Sequence, residues 1–210
     1  YETSARFHWI PNGVDQQPEE SFLKYNKGIH ICYAGNIFCG REEPLMRLLM
    51  LIQSQKADFS QLKITIIGGI HYSIKKTFQP LIDSGCLELI PHQAQEAVYM
   101  AIKKSHFALH LNAKRCPGAL STKIYEYAAL KVPVISLNYG GDIEQLIHNY
   151  KFGVSINLDK VNDASLKKTF LDTISTNTRE INPDVSPFYF QNLAKKYSSI
   201  VQASSKLKSV

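Results

Sequence analysis

A chain of 210 residues with 44% hydrophobic and 20% charged side chains has an ordinary globular composition and can bury a full core as one domain, or one domain with an appendage, which excludes disorder along its whole length. The formal charge of +6 favours anionic ligands or surfaces and carries one local bias, a stretch from Val185 onward with four lysines and no acid. Cys32, Cys39, Cys86 and Cys116 form no C-x-x-C pair or Cys/His cluster, so neither a disulfide framework nor a zinc site is expected, and a reducing, cytoplasmic setting fits.

The chain opens on Tyr-Glu-Thr rather than Met, as a piece of something longer would. No apolar run approaches the roughly 18 residues of a spanning helix, and no charged-then-apolar signal opens the chain. Neither a helix-turn-helix pattern nor an aromatic-basic string supports nucleic acid as a partner. The basic tail reads as a solvated helix face or as a contact with an acidic membrane surface.

In chain order, residues 1–28 read as an entry segment: FHWIPNGVDQQPEESF has the turn Pro11-Asn12-Gly13 and then a polar linker. Residues 29–185 then alternate short apolar runs with helical patterns. The runs IHICYAG (29–35), LKITIIGG (62–69), CLELIP (86–91), HFALHL (106–111), VPVISL (132–137) and FGVSIN (152–157) read as strands buried on both faces. Between them PLMRLLMLIQSQ, SIKKTFQPLIDSG, AQEAVYMAIKKS, STKIYEYAALK and DIEQLIHNY read as helices. This alternation predicts an α/β, Rossmann-like, doubly wound parallel sheet, because right-handed crossovers put helices on both faces. From about Ala164 two helices are expected, separated by INPDVSP; the second, PFYFQNLAKKYSSIVQASS, has Pro187 in its first turn and lies in a terminal segment, 186–210.

Ligands of doubly wound folds bind outside the carboxyl ends of the strands, which narrows the search to five loops. The first, GNIFCGREEP, nearly copies a phosphate-binding P-loop, but Arg41 and Glu42 stand where Lys and Ser/Thr are needed. It remains either a glycine-permitted backbone approach beside Arg41, suited to a diphosphate, or a plain turn. The fourth loop, NAKRCPGALSTKIYE, supplies Lys114, Arg115, the turn at Pro117-Gly118, and then Ser121 and Thr122 at a helix start whose free N–H groups favour an anion. On that helix, Glu126 needs a partner. Lys123 at i,i+3 is one candidate and the two hydroxyls of a ribose are the other; residue chemistry leaves the contest open. Gly140 and Gly141 in the fifth loop either approach a ligand or simply make the turn. His106 and His110 are expected to pack within their strand, whereas His71 and His92 sit at strand ends facing the site. No spaced cluster suggests a metal site or a hydrolytic triad.

The order of parts resembles the C-terminal, donor-binding domain of GT-B retaining glycosyltransferases of the group-1 (GT4-like) type. The residues that carry the resemblance are IPNGVD at 10–15, YAGNIFCGREEP at 33–44 and STKIYEYAALKVPVIS at 121–136. It implies one half of a two-domain enzyme that moves a sugar, hexosyl in type, from a nucleotide diphosphate such as a UDP- or GDP-sugar to a glycan or lipid-linked acceptor. It also implies retention of configuration, no cofactor or metal, and a cytoplasmic setting that extends to the inner face of the membrane. Glu126 would hold the ribose hydroxyls, Arg41 the diphosphate, and the helix start from Ser121 to Lys123 would add amide contacts, with Gly35, Asn36, Lys114, Arg115 and Gly118 completing the donor site. Two positions depart from the pattern: Gly118 stands where the family often has an acid, and Asn36 where an arginine is usual. The terminal helix looks like the one that crosses back to an N-terminal domain, so this chain is expected to be inactive by itself. A GT-B nucleotide-sugar epimerase and a stand-alone α/β nucleotide- or protein-binding module are the alternatives.

Overall fold

The computed structural model describes residues 8, 10–15, 27–117, 119–176 and 181–206. Six strands form one sheet: β1 (Ile29–Ala34), β2 (Leu62–Ile67), β3 (Leu87–Ile90), β4 (Phe107–Leu111), β5 (Val134–Asn138) and β6 (Gly153–Asn157). All pairings are parallel, in the order β3-β2-β1-β4-β5-β6. The helices are α1 (Glu42–Ser54), α2 (Tyr72–Thr77), α3 (Gln79–Asp83), α4 (Gln95–Lys104), α5 (Thr122–Ala129), α6 (Asp142–Asn149), α7 (Asp163–Ser175) and α8 (Phe190–Lys206). The expected doubly wound architecture is the one observed.

Every residue of β4 and of β5 is buried, as a parallel strand covered on both faces requires. Successive residues feed two separate cores. Ile31, Leu109 and Ile135 pack with Leu45, Leu48 and Leu49 of α1 and Phe170 of α7, whereas Cys32, Ala108 and Val134 pack with Ile124, Tyr125 and Tyr127 of α5. Helix α1 shows why its segment is helical. Glu42 and Glu43 complement the positive helix start, Pro44 falls in the first turn where no intrahelical N–H is needed, and Leu45, Leu48, Leu49 and Ile52 share one buried face. Burying each of these side chains stabilises by roughly 2 kcal/mol.

Two expected helices differ in detail. The single helix over 73–85 is two, α2 and α3, joined at Phe78, because Pro80 cannot donate the N–H that a continuous helix would need. The terminal helix begins later than Pro187: Ser186–Phe188 make a 3₁₀ turn, Tyr189 is extended, and α8 follows. The reason is a parallel bridge between Tyr189 and Val14, in which Val14 N–H donates to the Phe188 carbonyl (2.9 Å) and Phe190 N–H donates to the Val14 carbonyl (3.2 Å). The entry and exit segments therefore lie side by side. Phe188 anchors this junction by packing on Tyr125 of α5, with ring centroids 4.7 Å apart.

Candidate functional site

The strand order reverses between β1 and β4, and the crevice beyond their carboxyl ends is where such sheets hold ligands. Gly35 leaves β1 with φ +128° and Gly68 leaves β2 with φ +137°, a region open to glycine. The two loops touch, since a Cβ on Gly68 would collide with the Gly35 carbonyl. Asn36 then ties three loops together. Its Oδ1 accepts from Gly69 N–H (2.8 Å) and lies 2.7 Å from Nε2 of His92, in the loop after β3. Asn36 thus serves as a hub of the crevice wall, and His92 stands on its rim.

Helix α5 forms the opposite wall. Ser121 caps it, its side chain accepting from Lys123 N–H (3.4 Å), and Thr122 is its first residue. Ile124, Tyr125, Tyr127 and Ala128 are buried, and the Tyr127 hydroxyl accepts from Ala34 N–H (3.3 Å), pinning the helix to the end of β1. With that face fixed inward, Lys123 and Glu126 line the crevice. They do not form an ion pair. Lys123 instead extends over Gly35, so close that a Cβ there would lie 2.6 Å from Lys123 Cε and 3.0 Å from Nζ.

Glu126 is half-buried, and among the described residues its carboxylate has no hydrogen-bond partner. Burial raises its pKa above the usual carboxylate value, with the Lys123 charge opposing the rise only in part. The cleft in front of it, about 220 Å³, is lined by Ala34, Gly35, His92, Tyr99, Lys123 and Glu126 among others. Arg41 precedes α1, is partly buried, and has no ion-pair partner among the described residues. Its charge and that of Lys123 both bear on His110.

The remaining candidates stand further out and are engaged. Lys114 pairs with Asp159 (2.7 Å) and lies 5.4 Å from the centroid of the Tyr139 ring, while Arg115 Nε donates to the Cys39 carbonyl (3.0 Å). Gly118 lies outside the described residues. In the fifth loop Gly140 and Gly141 adopt φ of +85° and +83° and make the turn, Gly140 packing against Asn157. His71 caps α2 by accepting from Ser73 N–H (3.3 Å). Among the described residues no cluster of three or more His, Cys, Asp or Glu is placed to hold a metal ion, and no helix is long and apolar enough to cross a membrane.

No family model and no curated protein matches the chain in sequence. Solved structures match it in fold. The lipopolysaccharide outer core galactosyltransferase WaaB superposes with a TM-score of 0.64 at 12% identity, covering 94% of this chain and 56% of that one. The sheet and its helices match the fold of GT-B glycosyltransferase domains. AviGT4, a glycosyltransferase involved in avilamycin A biosynthesis, gives 0.60 at 12% identity over 92% of this chain and 57% of its own. A UDP-GlcNAc 2-epimerase from Neisseria meningitidis, bound to UDP-GlcNAc, gives 0.52 at 15% identity over 85% and 45%. The chain spans about half the length of these structures.

Proposed function

We propose that this chain is the donor-binding half of a glycosyltransferase, holding a nucleotide-sugar such as a UDP- or GDP-sugar in the crevice between β1 and β4. The observation that carries this reading is Glu126, a carboxylate half-buried beside a cleft with no hydrogen-bond partner among the described residues, although Lys123 is on the same helix face. A buried acid left without a partner is costly, and a ribose diol supplies the two donors it lacks. Arg41 and Lys123, with the N–H groups at the start of α5, then face the diphosphate. They stabilise the negative charge that develops on it as the sugar leaves. Lys114 and Arg115 form the outer edge of that field.

The acceptor, a glycan or a lipid-linked sugar, would meet the donor across a cleft completed by an N-terminal domain, to which α8 returns. On this reading the chain alone binds nucleotide and transfers nothing, transfer in the complete enzyme proceeds with retention, and the enzyme works in the cytoplasm, with the lysine-rich tail available to an acidic membrane surface. The epimerase among the structural neighbours keeps a second activity in play. That enzyme class needs groups acting on the sugar itself, which a nucleotide-binding half does not supply.

Calorimetric titration with UDP, GDP and their sugars tests the reading. One nucleotide is expected to bind at millimolar concentration or better and to bind clearly more weakly to Glu126→Ala. Equal binding by that variant, or no binding to the unaltered chain, would remove the central residue of the proposal. Incubation of the complete enzyme with the bound nucleotide-sugar then separates transfer to an acceptor from epimerisation of the free sugar nucleotide.

A further inference from the structure

Among the described residues, three that are not glycine have positive φ: Cys39 (+61°), Lys131 (+57°) and Lys151 (+54°). Lys131 and Lys151 each stand just past the end of a helix, α5 and α6, where a left-handed residue is the usual stop. Cys39 has no such reason. It lies between β1 and α1, and with Gly40 (φ +93°) it forms the centre of a turn that closes when Arg41 N–H donates to the Phe38 carbonyl (3.4 Å). Two positive φ values at the centre are the type I′ pattern, for which Asn-Gly or Gly-Gly is the usual pair, and a cysteine in the first place is strained. Such strain persists only where the surroundings hold it.

The peptide group between Cys39 and Gly40 is held at both ends. Arg115 Nε donates to the Cys39 carbonyl (3.0 Å), and the Gly40 N–H, which points the opposite way, donates to Oε2 of Glu42 (2.6 Å). Each bond has a charged side chain as one partner, the stronger kind of hydrogen bond. With carbonyl and N–H both fixed, the peptide plane cannot swing and the turn keeps its shape. Glu42 holds the turn from its own helix, α1, whereas Arg115 reaches it from the loop after β4, on the other side of the strand-order reversal. The two loops are in contact there: a Cβ on Gly40 would lie 3.0 Å from the Ala113 Cβ and 3.5 Å from Arg115 Nε. The residue that the turn delivers is Arg41, which leads into α1.

We propose that Arg115 is a positioning residue for Arg41: with Glu42 it clamps the Cys39–Gly40 peptide group, and the clamped turn sets the place from which Arg41 meets the diphosphate. This rests on the nucleotide-binding reading above. It gives Arg115 a part exerted through the turn and separable from its charge.

The test is calorimetric titration of the chain and its variants with UDP and GDP. Arg115→Ala is expected to weaken binding about ten-fold, the scale set by the reluctance of a non-glycine residue to stay left-handed once released. Cys39→Gly removes that reluctance, and in the double variant it is expected to recover most of the loss although the Arg115 charge is gone. Glu42→Ala discriminates by its sign. Removing an acid next to Arg41 would strengthen anion binding if charge alone mattered, whereas loss of the clamp is expected to weaken it about three-fold or more. If Arg115→Ala binds as well as the unaltered chain, if Cys39→Gly recovers none of its loss, or if Glu42→Ala binds more tightly, the proposal fails and the nucleotide site stands. If neither nucleotide binds the unaltered chain, the nucleotide reading falls and the role of Arg115 with it.

Discussion

Two regions at the carboxyl end of the sheet use similar parts. Around β5 and β6 a glycine turn precedes α6, and the nearby charges are paired: Lys114 with Asp159, Lys160 with Glu144 at 3.5 Å, and Arg47 of α1 with Asp163 at 3.1 Å. Around β1 and β4 a glycine turn precedes α1, but Arg41 and Lys123 make no ion pair among the described residues and Glu126 makes no hydrogen bond through its carboxylate. The first region pairs these charges with one another, and Asp142, which has no ion pair among the described residues, is exposed at the start of α6. The second holds two cations and an acid apart, which costs electrostatic free energy in the empty molecule and is recovered when an anion and two hydroxyls arrive. Glycine spacing does not separate the two; the pairing of charges does.

The backbone should not distinguish the regions, and that gives the largest expected effect. Gly68→Ala in the first crevice loop pair and Gly153→Ala at the start of β6 both place a Cβ against backbone at φ of +137° and +146°. Each is expected to destabilise by about 3 kcal/mol in urea unfolding. A tolerant Gly68 would mean that the two loops do not hold each other as described.

Ligand affinity should separate the regions sharply. Arg41→Ala and Lys123→Ala are each expected to weaken nucleotide binding by about ten- to a hundred-fold in calorimetry, as the loss of a charged hydrogen-bonding partner does. Lys114→Ala, whose ammonium is exposed and already paired with Asp159, should change it by less than about two-fold. Equal effects from Lys114 and Lys123 would break the comparison.

Glu126 gives a smaller effect and a definite sign. Its folded pKa is raised above the ordinary 4.5, so its contribution to stability is full below that value and is lost as the pH rises through the folded value. At neutral pH, Glu126→Gln is therefore expected to unfold at slightly higher denaturant, by up to ~1 kcal/mol, a figure already reduced for the solvent that reaches this half-exposed group. Nucleotide binding should run the other way: it weakens as the pH falls and Glu126 protonates, and Glu126→Gln removes that pH dependence.

The sheet was legible because its strands are continuous apolar runs with helices between them, and parallel order follows from that alternation. Where the reading of elements slipped, the cause was a proline or a distant partner: Pro80 divides one helix, and Val14 holds Tyr189 extended. The loops of the candidate site were legible, since topology places them, and Gly35, Asn36, Arg41, Ser121, Lys123 and Glu126 lie on the loop after β1 and on α5 and its start. Spacing could not say whether Lys123 turns toward Glu126 or over Gly35, because both lie within reach of one flexible side chain. Asn36 looked like a missing arginine, and its role as a hub depends on loops distant in sequence.

The bridge between Val14 and Tyr189 also has a mechanical meaning. Its two segments run parallel, so tension applied at the amino side of Val14 and at the carboxyl side of Tyr189 pulls them along their length in opposite directions. The two hydrogen bonds are then loaded together in shear instead of being peeled one after the other. Because Phe188 packs on Tyr125, next to Glu126, such a load would be felt at the helix that faces the cleft.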